Sequence, residues 1–552
     1  MKGIASIDTK DAKLTMAHLY VAFIALLLGA LAGLLQVFVR SGKFTLPAGI
    51  NYYQVLTVHG VLLGLVLTTF FIIGFILASQ AKVTSSLTAG ERRTAWIGYT
   101  LMTIGVAIAA TFVLLGKASV LFTFYAPLMA HPLFYIGLTC VVVGSWIEGG
   151  VIIKRHFRWK KANPGQISPL LSFMGVATII LWLVAGLGLA TTVLVQIIPW
   201  SLELVPAIDV LISRTLFWYF GHPLVYFWLM PAYMAWYVII PKIIGGKVFS
   251  DALARLSFIL FLLFSMPVGF HHQLLEPGID PFWKYLQVVL TYLVVIPSLM
   301  TAFTLFATFE LRGRELGATG LFGWWKVLPW KDARFLAPFM GMLLFIPGGA
   351  GGIVNASHQM NQLVHNTIWI TGHFHLTVAS ACALTFFGIT FWMVPSITGR
   401  KLTDKMNKFA LVQTWLWTIG MVFMSAAMHA AGLLGAPRRS AFSEYAGNAD
   451  SLSWIPYQLA QAVGGTFLFV AALLMVAIFI NLAFFAPKGE EEFPVAVVHE
   501  GAEKTPAVFD NIKVWIAVTF ALILFAYTIP FIDMIQNAPP GSPGWTNVIG
   551  RN

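Results

Sequence analysis

The chain alternates long apolar runs with short polar ones, and the runs have the length of membrane spans. About 20 apolar residues carry a helix across the hydrocarbon core of a bilayer. Runs of that kind occupy 16–39, 54–79, 94–115, 132–153, 170–197, 214–241, 254–275, 284–309, 335–353, 367–395, 409–432, 456–485 and 511–535. They predict an all-α membrane protein, a polytopic bundle of about thirteen transmembrane helices forming one domain over residues 1–552. The longer polar segments, 310–334, 433–455 and 486–510, are too short for a second folded domain. The first run is too long for a cleaved signal peptide, no A-x-A-like site follows it, and it reads as the first span. No internal repeat is visible, which argues against a transporter built from inverted halves.

Composition agrees: 58% of residues are hydrophobic and 10% charged, against about 25% charged in a water-soluble domain. The net charge of +12 does not point to nucleic acid, because the basic residues sit in short loops with no RNP, helix-turn-helix or finger pattern around them. They report orientation instead. With the amino terminus inside, 26 Lys and Arg fall on the inner side and 8 on the outer, together the 34 of the chain. The carboxyl terminus then lies outside. The two cysteines, Cys140 and Cys382, lie inside apolar runs and form no disulfide framework, zinc spacing or CxxCH motif.

Six of the thirteen histidines fall within spans in compact motifs: His59 in LTVHGVL, His222 in GHPLVY, His271 and His272 in VGFHHQ, and His373 and His375 in TGHFHL. Ionisable groups inside a bilayer are costly and point to function. Counted along their spans at about 1.5 Å per residue, all six lie in one layer roughly 5–15 Å below the outer surface. A layer of imidazoles from four helices implies metal. On a helix, His373 and His375 are about 200° apart and serve two different centres, whereas His271 and His272 are about 100° apart and can bend toward one ion. With His222 they make a three-imidazole site suited to copper, iron or zinc, and haem iron also takes axial histidine.

GHPxVY, HH and GHFH, in this order and spacing, resemble the catalytic subunit of the haem-copper oxidase superfamily, in its thirteen-span B-type branch. The resemblance covers nearly the whole chain. It implies a terminal respiratory oxidase that reduces dioxygen to water and pumps protons, in a prokaryotic plasma membrane. It implies His59 and His375 as axial ligands of a low-spin haem b, and His373 as ligand of a high-spin haem of a or o type. His222, His271 and His272 would hold copper (CuB). Trp218, one turn before His222, matches the pattern, and Arg438 and Arg439 in APRRS look like the pair that neutralises haem propionates. Tyr226 follows His222 by four residues on the same helix face; in oxygen-reducing relatives the two are covalently linked, and the tyrosine supplies an electron and a proton. Related nitric oxide reductases lack it, so Tyr226 opposes that alternative. The common depth of the histidines opposes a metal-free transporter.

A buried site needs a proton path. Tyr226, Tyr233 and Tyr237 agree in angle within about 20° and form a stripe about 16 Å long toward the inner surface. Thr301 and Thr304 share a face of the eighth span. Together these are similar to the single K-type channel of B-type oxidases. Leu224 stands where many A-type relatives carry the glutamate of a second channel. Ser145, Glu148 and His365 with Asn366 are polar positions without an assigned role; Glu148 would serve a relay or pair with a basic residue. PGGAGG at 347–352 lacks the features of a phosphate loop and predicts close packing against a helix or haem. The resemblance further implies a small membrane-anchored subunit II with a dinuclear copper site, since this chain has no Cys-rich cluster, and cytochrome c as electron donor, with quinol as the alternative.

Overall fold

The computed structural model describes residues 7–441, 445–499 and 504–545. Among them the chain is helical, with isolated bridges and no strand. Twelve helices are long and apolar enough to cross a membrane: α1 Thr9–Arg40, α2 Tyr52–Val83, α3 Ala89–Leu114, α4 Pro132–Ala162, α5 Leu170–Ser201, α6 Val210–Ile243, α8 Pro281–Glu315, α9 Ala333–Ala356, α10 Ile368–Thr398, α11 Asp404–Leu433, α12 Ala449–Phe485 and α13 Ile512–Gln536. The seventh element, α7 Asp251–Ser265, has only 15 residues. The sidedness read from basic residues draws partly on Lys2 and Arg551, which lie outside the described residues.

Twelve of the thirteen expected spans are thus full-length helices among the described residues, while the seventh is a shorter helix followed by a loop, and its shortness has a cause. Pro267 has no backbone N–H and crowds the residue before it, so the helix stops at Ser265. The rest of the apolar run, to 275, is a loop carrying a single 3₁₀ turn, Phe270–His272. Irregular backbone is tolerated inside a membrane protein only where its polar groups are satisfied. Gln287 of α8 does this: its Oε1 accepts from Gly269 N at 2.8 Å and Phe270 N at 2.9 Å, and its Nε2 donates to Ala526 O at 3.3 Å. Lys284 Nζ donates to the carbonyls of Leu274 and Glu276, and Gln273 Nε2 to Thr215 Oγ1 at 3.2 Å.

Side-chain caps set where the histidine-bearing helices begin. Asn51 and Gln54 form a reciprocal capping box at the start of α2. Asp209 Oδ1 accepts from Ile212 N at 2.8 Å to start α6, and Thr367 Oγ1 from Trp369 N at 3.3 Å to start α10. Packing within the bundle uses small residues. In the α3–α4 seam a Cβ on Gly137 would lie 2.7 Å from Gly105 O, so only glycine allows this approach.

Five π-helical turns interrupt the α pattern, among them Ala235–Ile239 in α6 and Thr377–Cys382 just after His375 in α10. Each shifts the rotation of everything beyond it. The uniform 100° per residue assumed for the tyrosine stripe does not hold between Tyr233 and Tyr237.

Candidate metal centre

One cavity of about 720 Å³ lies among α1, α2, α6, α8, α9, α10, α11 and the loop after α7, and the six histidines of the four motifs line it. One nitrogen from each of His222, His271 and His272 lies within 4.8 Å of the others. His222 Nδ1 is 3.3 Å from His272 Nε2. Two ligands each about 2.0 Å from one ion, at a near-tetrahedral angle, are separated by about 3.3 Å. Thr291 Oγ1 donates to Gln287 O at 2.6 Å and so accepts from His271 Nδ1 at 3.1 Å. That fixes the proton on His271 Nδ1 and leaves Nε2 as the ligand atom. Trp218 stacks on His272, with ring centres 3.8 Å apart and planes 5° apart. The three imidazoles meet as expected, though not for the helical reason: His271 and His272 sit on the 3₁₀ turn, and their approach is set by that turn and its anchors.

The other three histidines share one hydrogen-bond pattern. His59 Nδ1 donates to Gly29 O at 2.9 Å, His373 Nδ1 to Gly348 O at 2.9 Å, and His375 Nδ1 to Thr371 O at 2.8 Å. Each carbonyl holds the ring in the tautomer whose Nε2 is free to bind metal. The rings of His59 and His375 are 6.3 Å apart between centres and 14° from parallel. An iron between them, with about 2 Å bonds and about 1 Å more from each nitrogen to its ring centre, requires about 6 Å. His373 turns the other way along α10, against Gly348, Gly351 and Trp369, as the 200° separation predicts. A Cβ on Gly351 would lie 2.7 Å from His373 Nδ1, and one on Gly33 2.8 Å from His59 Cε1. The PGGAGG segment is therefore the seat of a histidine ring.

At the rim, Arg438 and Arg439 both line the cavity. Arg438 donates to Asn366 Oδ1 at 2.9 Å, while its Nε is buried without a hydrogen-bond partner. Burial, and then the adjacent Arg439 charge, push the Arg438 guanidinium down to about 9; burial also lowers Arg439. Two neighbouring, desolvated cations call for anions, and carboxylate-bearing haem edges fit that demand. Arg439 also lies over the Tyr125 ring, as does Arg214, at 5.4 and 4.8 Å. His365, also at the cavity, donates from Nδ1 to Asn361 Oδ1 at 3.0 Å.

Tyr226 lines the same cavity, its ring centre 5.0 Å from that of His222. His222 Nε2, the nitrogen not directed at His272, is buried with no hydrogen-bond partner. Tyr233 OH pairs with Ser298 Oγ at 3.2 Å, and Ser298 itself lines the cavity. Tyr237 OH donates to Thr301 Oγ1 at 2.9 Å and lies 2.9 Å from Ser257 Oγ. Thr304 is buried one turn beyond Thr301 on α8, its hydroxyl on Met300 O at 2.8 Å. Sequence reasoning missed Ser298, Ser257 and Thr291. Ser298 stands three residues before Thr301 on the same face, a visible signal; the others meet the site only through tertiary packing. Of the unassigned polar positions, Ser145 accepts from Trp182 Nε1 at 2.8 Å, and Glu148 pairs with His18 rather than with a Lys or Arg.

Comparison with known proteins places these features. The family model described as cytochrome c and quinol oxidase polypeptide I matches residues 13–467. The chain is 41% identical over 551 residues to cytochrome c oxidase subunit 1 of Thermus thermophilus, covering 97% of each. It is 28% identical over 230 residues, 42% of each chain, to quinol oxidase subunit 1 of Sulfolobus acidocaldarius. Its fold is similar to that of a heme-copper terminal oxidase dimer solved by cryo-EM, with a TM-score of 0.92, 36% identity, and coverage of 98% of this chain and 96% of that one.

Proposed function

The chain belongs to the cytochrome c and quinol oxidase polypeptide I family and is the catalytic subunit of a membrane-bound terminal oxidase, and on that premise we propose which residues carry each part of the reaction. His59 and His375 hold a low-spin haem b, His373 holds a high-spin haem of a or o type, and His222, His271 and His272 hold copper. The observation that carries this reading is the convergence of six imidazoles, borne on three helices and one loop, upon a single cavity. When bound, these groups supply the redox chemistry that converts dioxygen to water.

The protein's own contribution is orientation, charge and protons. Trp218 and Thr291 fix the planes of His272 and His271. Arg438 and Arg439 offer buried positive charge to the propionates and hold the haem edges at the rim. Tyr226 presents its hydroxyl in the cavity next to His222 and delivers a proton, with an electron, to dioxygen. The orphaned His222 Nε2 supports the His222–Tyr226 cross-link that the family resemblance implies. Tyr237 with Thr301 and Ser257, then Tyr233 with Ser298, form a hydroxyl sequence that brings protons to that cavity wall.

Protons enter from the cytoplasm and electrons from the opposite side, with the amino terminus cytoplasmic and the carboxyl terminus outside. The donor is cytochrome c, acting through a small membrane-anchored subunit II with a dinuclear copper site, because Cys140 and Cys382 stand apart in this chain as free thiols. The purified complex should yield two haems and, at this site, one copper per chain in haemochrome and metal analysis, and should turn over dioxygen with reduced cytochrome c. Two haems with no copper, or turnover with nitric oxide alone, would overturn the assignment; turnover with quinol and not cytochrome c would overturn the donor.

A further inference from the structure

A second titratable pair lies inside the bundle, away from the cavity. His18 of α1 and Glu148 of α4 are both fully buried, with His18 Nε2 3.0 Å from Glu148 Oε1. His18 Nδ1 donates to Leu14 O at 2.9 Å, so the Nε2–Oε1 contact must carry a shared proton, on one atom or the other. Glu148 Oε2 is buried with no hydrogen-bond partner. Room for the carboxylate is built in: a Cβ on Gly98 would lie 2.7 Å from Glu148 Cγ. Phe70, Gly74 and Tyr99 also pack against His18, the Tyr99 ring 5.0 Å away, and among the described residues no Lys, Arg or second carboxylate is hydrogen-bonded or ion-paired to either member of the pair.

The pair is connected to one end of the bundle. Asp11, Thr15 and His18 follow at i, i+4 and i+7, which is one face of α1, and all three are buried. Asp11 anchors a charged network there, bonding Leu87 N at 2.9 Å and Arg92 Nη2 at 2.8 Å, with Arg155 beside it. His59 bonds α1 at Gly29, eleven residues past His18, or about 16 Å along the axis. The pair thus sits between the Asp11 network and the level of the haem ligands, on a different helix set from the tyrosines.

We propose that His18 and Glu148 are a proton-holding site coupled to electron delivery and separate from the tyrosine route. Ionisable groups buried in a bilayer without function are rare, and the unpartnered Oε2 is an acceptor with an open position. When an electron reaches the cavity, a proton from water at the Asp11 end bonds to Glu148 Oε2, while the Nε2–Oε1 proton stays shared. The pair goes from neutral to singly positive, and its charge balances the electron's across a low-dielectric interior that screens weakly. When the electron is consumed the O–H bond breaks and the proton leaves. The proposal rests on the oxidase reading only for the supply of electrons.

The test is redox-difference infrared spectroscopy of the complete complex in lipid vesicles, in H₂O and D₂O. The parent should show a carboxylic C=O band on reduction that shifts in D₂O. Glu148→Gln should lose that band and take up fewer protons per electron, with dioxygen consumption continuing, because neither residue touches the cavity. His18→Gln, which keeps a hydrogen-bonding side chain, should shift the band. A band unchanged in both variants, or none in the parent, would mean that the pair is only a tie between helices. Should Glu148→Gln fail to assemble, the His18→Gln comparison decides. The oxidase reading is tested separately, by the parent's dioxygen consumption.

Discussion

The imidazole of His59 on α2 lies nearly parallel to that of His375 on α10, 6.3 Å away at 14°. Nothing in the hydrogen bonding joins the two rings, since each uses its Nδ1 on a different backbone carbonyl. Near-parallel rings with centres at that separation, each with its Nε2 left free, are what a metal held from both sides requires.

Replacing His375 by alanine removes one side of that grip. The complex should then bind one haem per chain fewer by haemochrome analysis, losing the low-spin signal, while the copper content is retained because His222, His271 and His272 are untouched. Retention of a low-spin spectrum would show that His375 is not a ligand.

Tyr226→Phe removes only the hydroxyl. Metal and haem content should match the parent, and dioxygen turnover should fall by about 10²-fold or more, the usual scale for loss of a positioned proton donor. The His222-bearing peptide should also have one oxygen fewer and two hydrogens more than a cross-linked parent, against one oxygen fewer alone if the parent has no cross-link. Near-normal turnover in this variant would remove Tyr226 from the mechanism.

Tyr237 bonds both Thr301 and Ser257. Tyr237→Phe breaks both contacts and should slow proton uptake and turnover by about 10²-fold. Ser257→Ala leaves the bond to Thr301 and should cost much less. Flash-initiated proton uptake reads the difference; equal effects from the two variants would argue against a route through this hydroxyl.

Gly351→Ala puts a methyl 2.7 Å from His373 Nδ1. Overpacking of this kind costs about 1–3 kcal/mol, and here the strain falls on one ring. The high-spin haem spectrum should shift or weaken while the low-spin spectrum stays. An unchanged high-spin spectrum would show that the ring does not depend on this seat.

Asp510 precedes α13 and ties three parts of the chain, bonding Ser168 N at 3.1 Å, Arg255 Nη1 at 2.9 Å, the Ser168 hydroxyl and Lys160. Burial alone would raise its carboxyl, but the bonds from Lys160 and Ser168 and the Arg255 charge outweigh that and hold it below its ordinary value of 3.8. A depressed carboxylate contributes stability that is complete above the unfolded value and fades as pH falls through the lower folded one. Asp510→Asn should therefore lower thermal stability at neutral pH by about 1–3 kcal/mol and flatten the loss of stability below about pH 4. A parallel acid profile in parent and variant would contradict this.

The apolar runs determined a helical membrane protein, because only helices and closed barrels satisfy their own backbone in lipid, and unbroken runs of about 20 apolar residues fit the helix and not the short alternating strand of a barrel. The histidine motifs determined which side chains are the candidate ligands, since ligand chemistry resides in residue type and His373 and His375 keep their opposed directions on a regular stretch of α10. Tertiary structure alone decided the rest. Pro267 broke the seventh run, so the copper-side pair His271 and His272 is aimed by Gln287 and Thr291, which are distant in sequence. The π-turn at Ala235–Ile239 reset the rotation of α6, so which hydroxyls meet Tyr237 follows from packing against α7 and α8 and not from a 3.6-residue period. Glu148 found His18 because Gly98 and Gly74 leave room for the two side chains to meet between helices, and they have no water to turn to. Periodicity describes one helix at a time; partners across the bundle are chosen by shape and by the cost of leaving a buried polar atom alone.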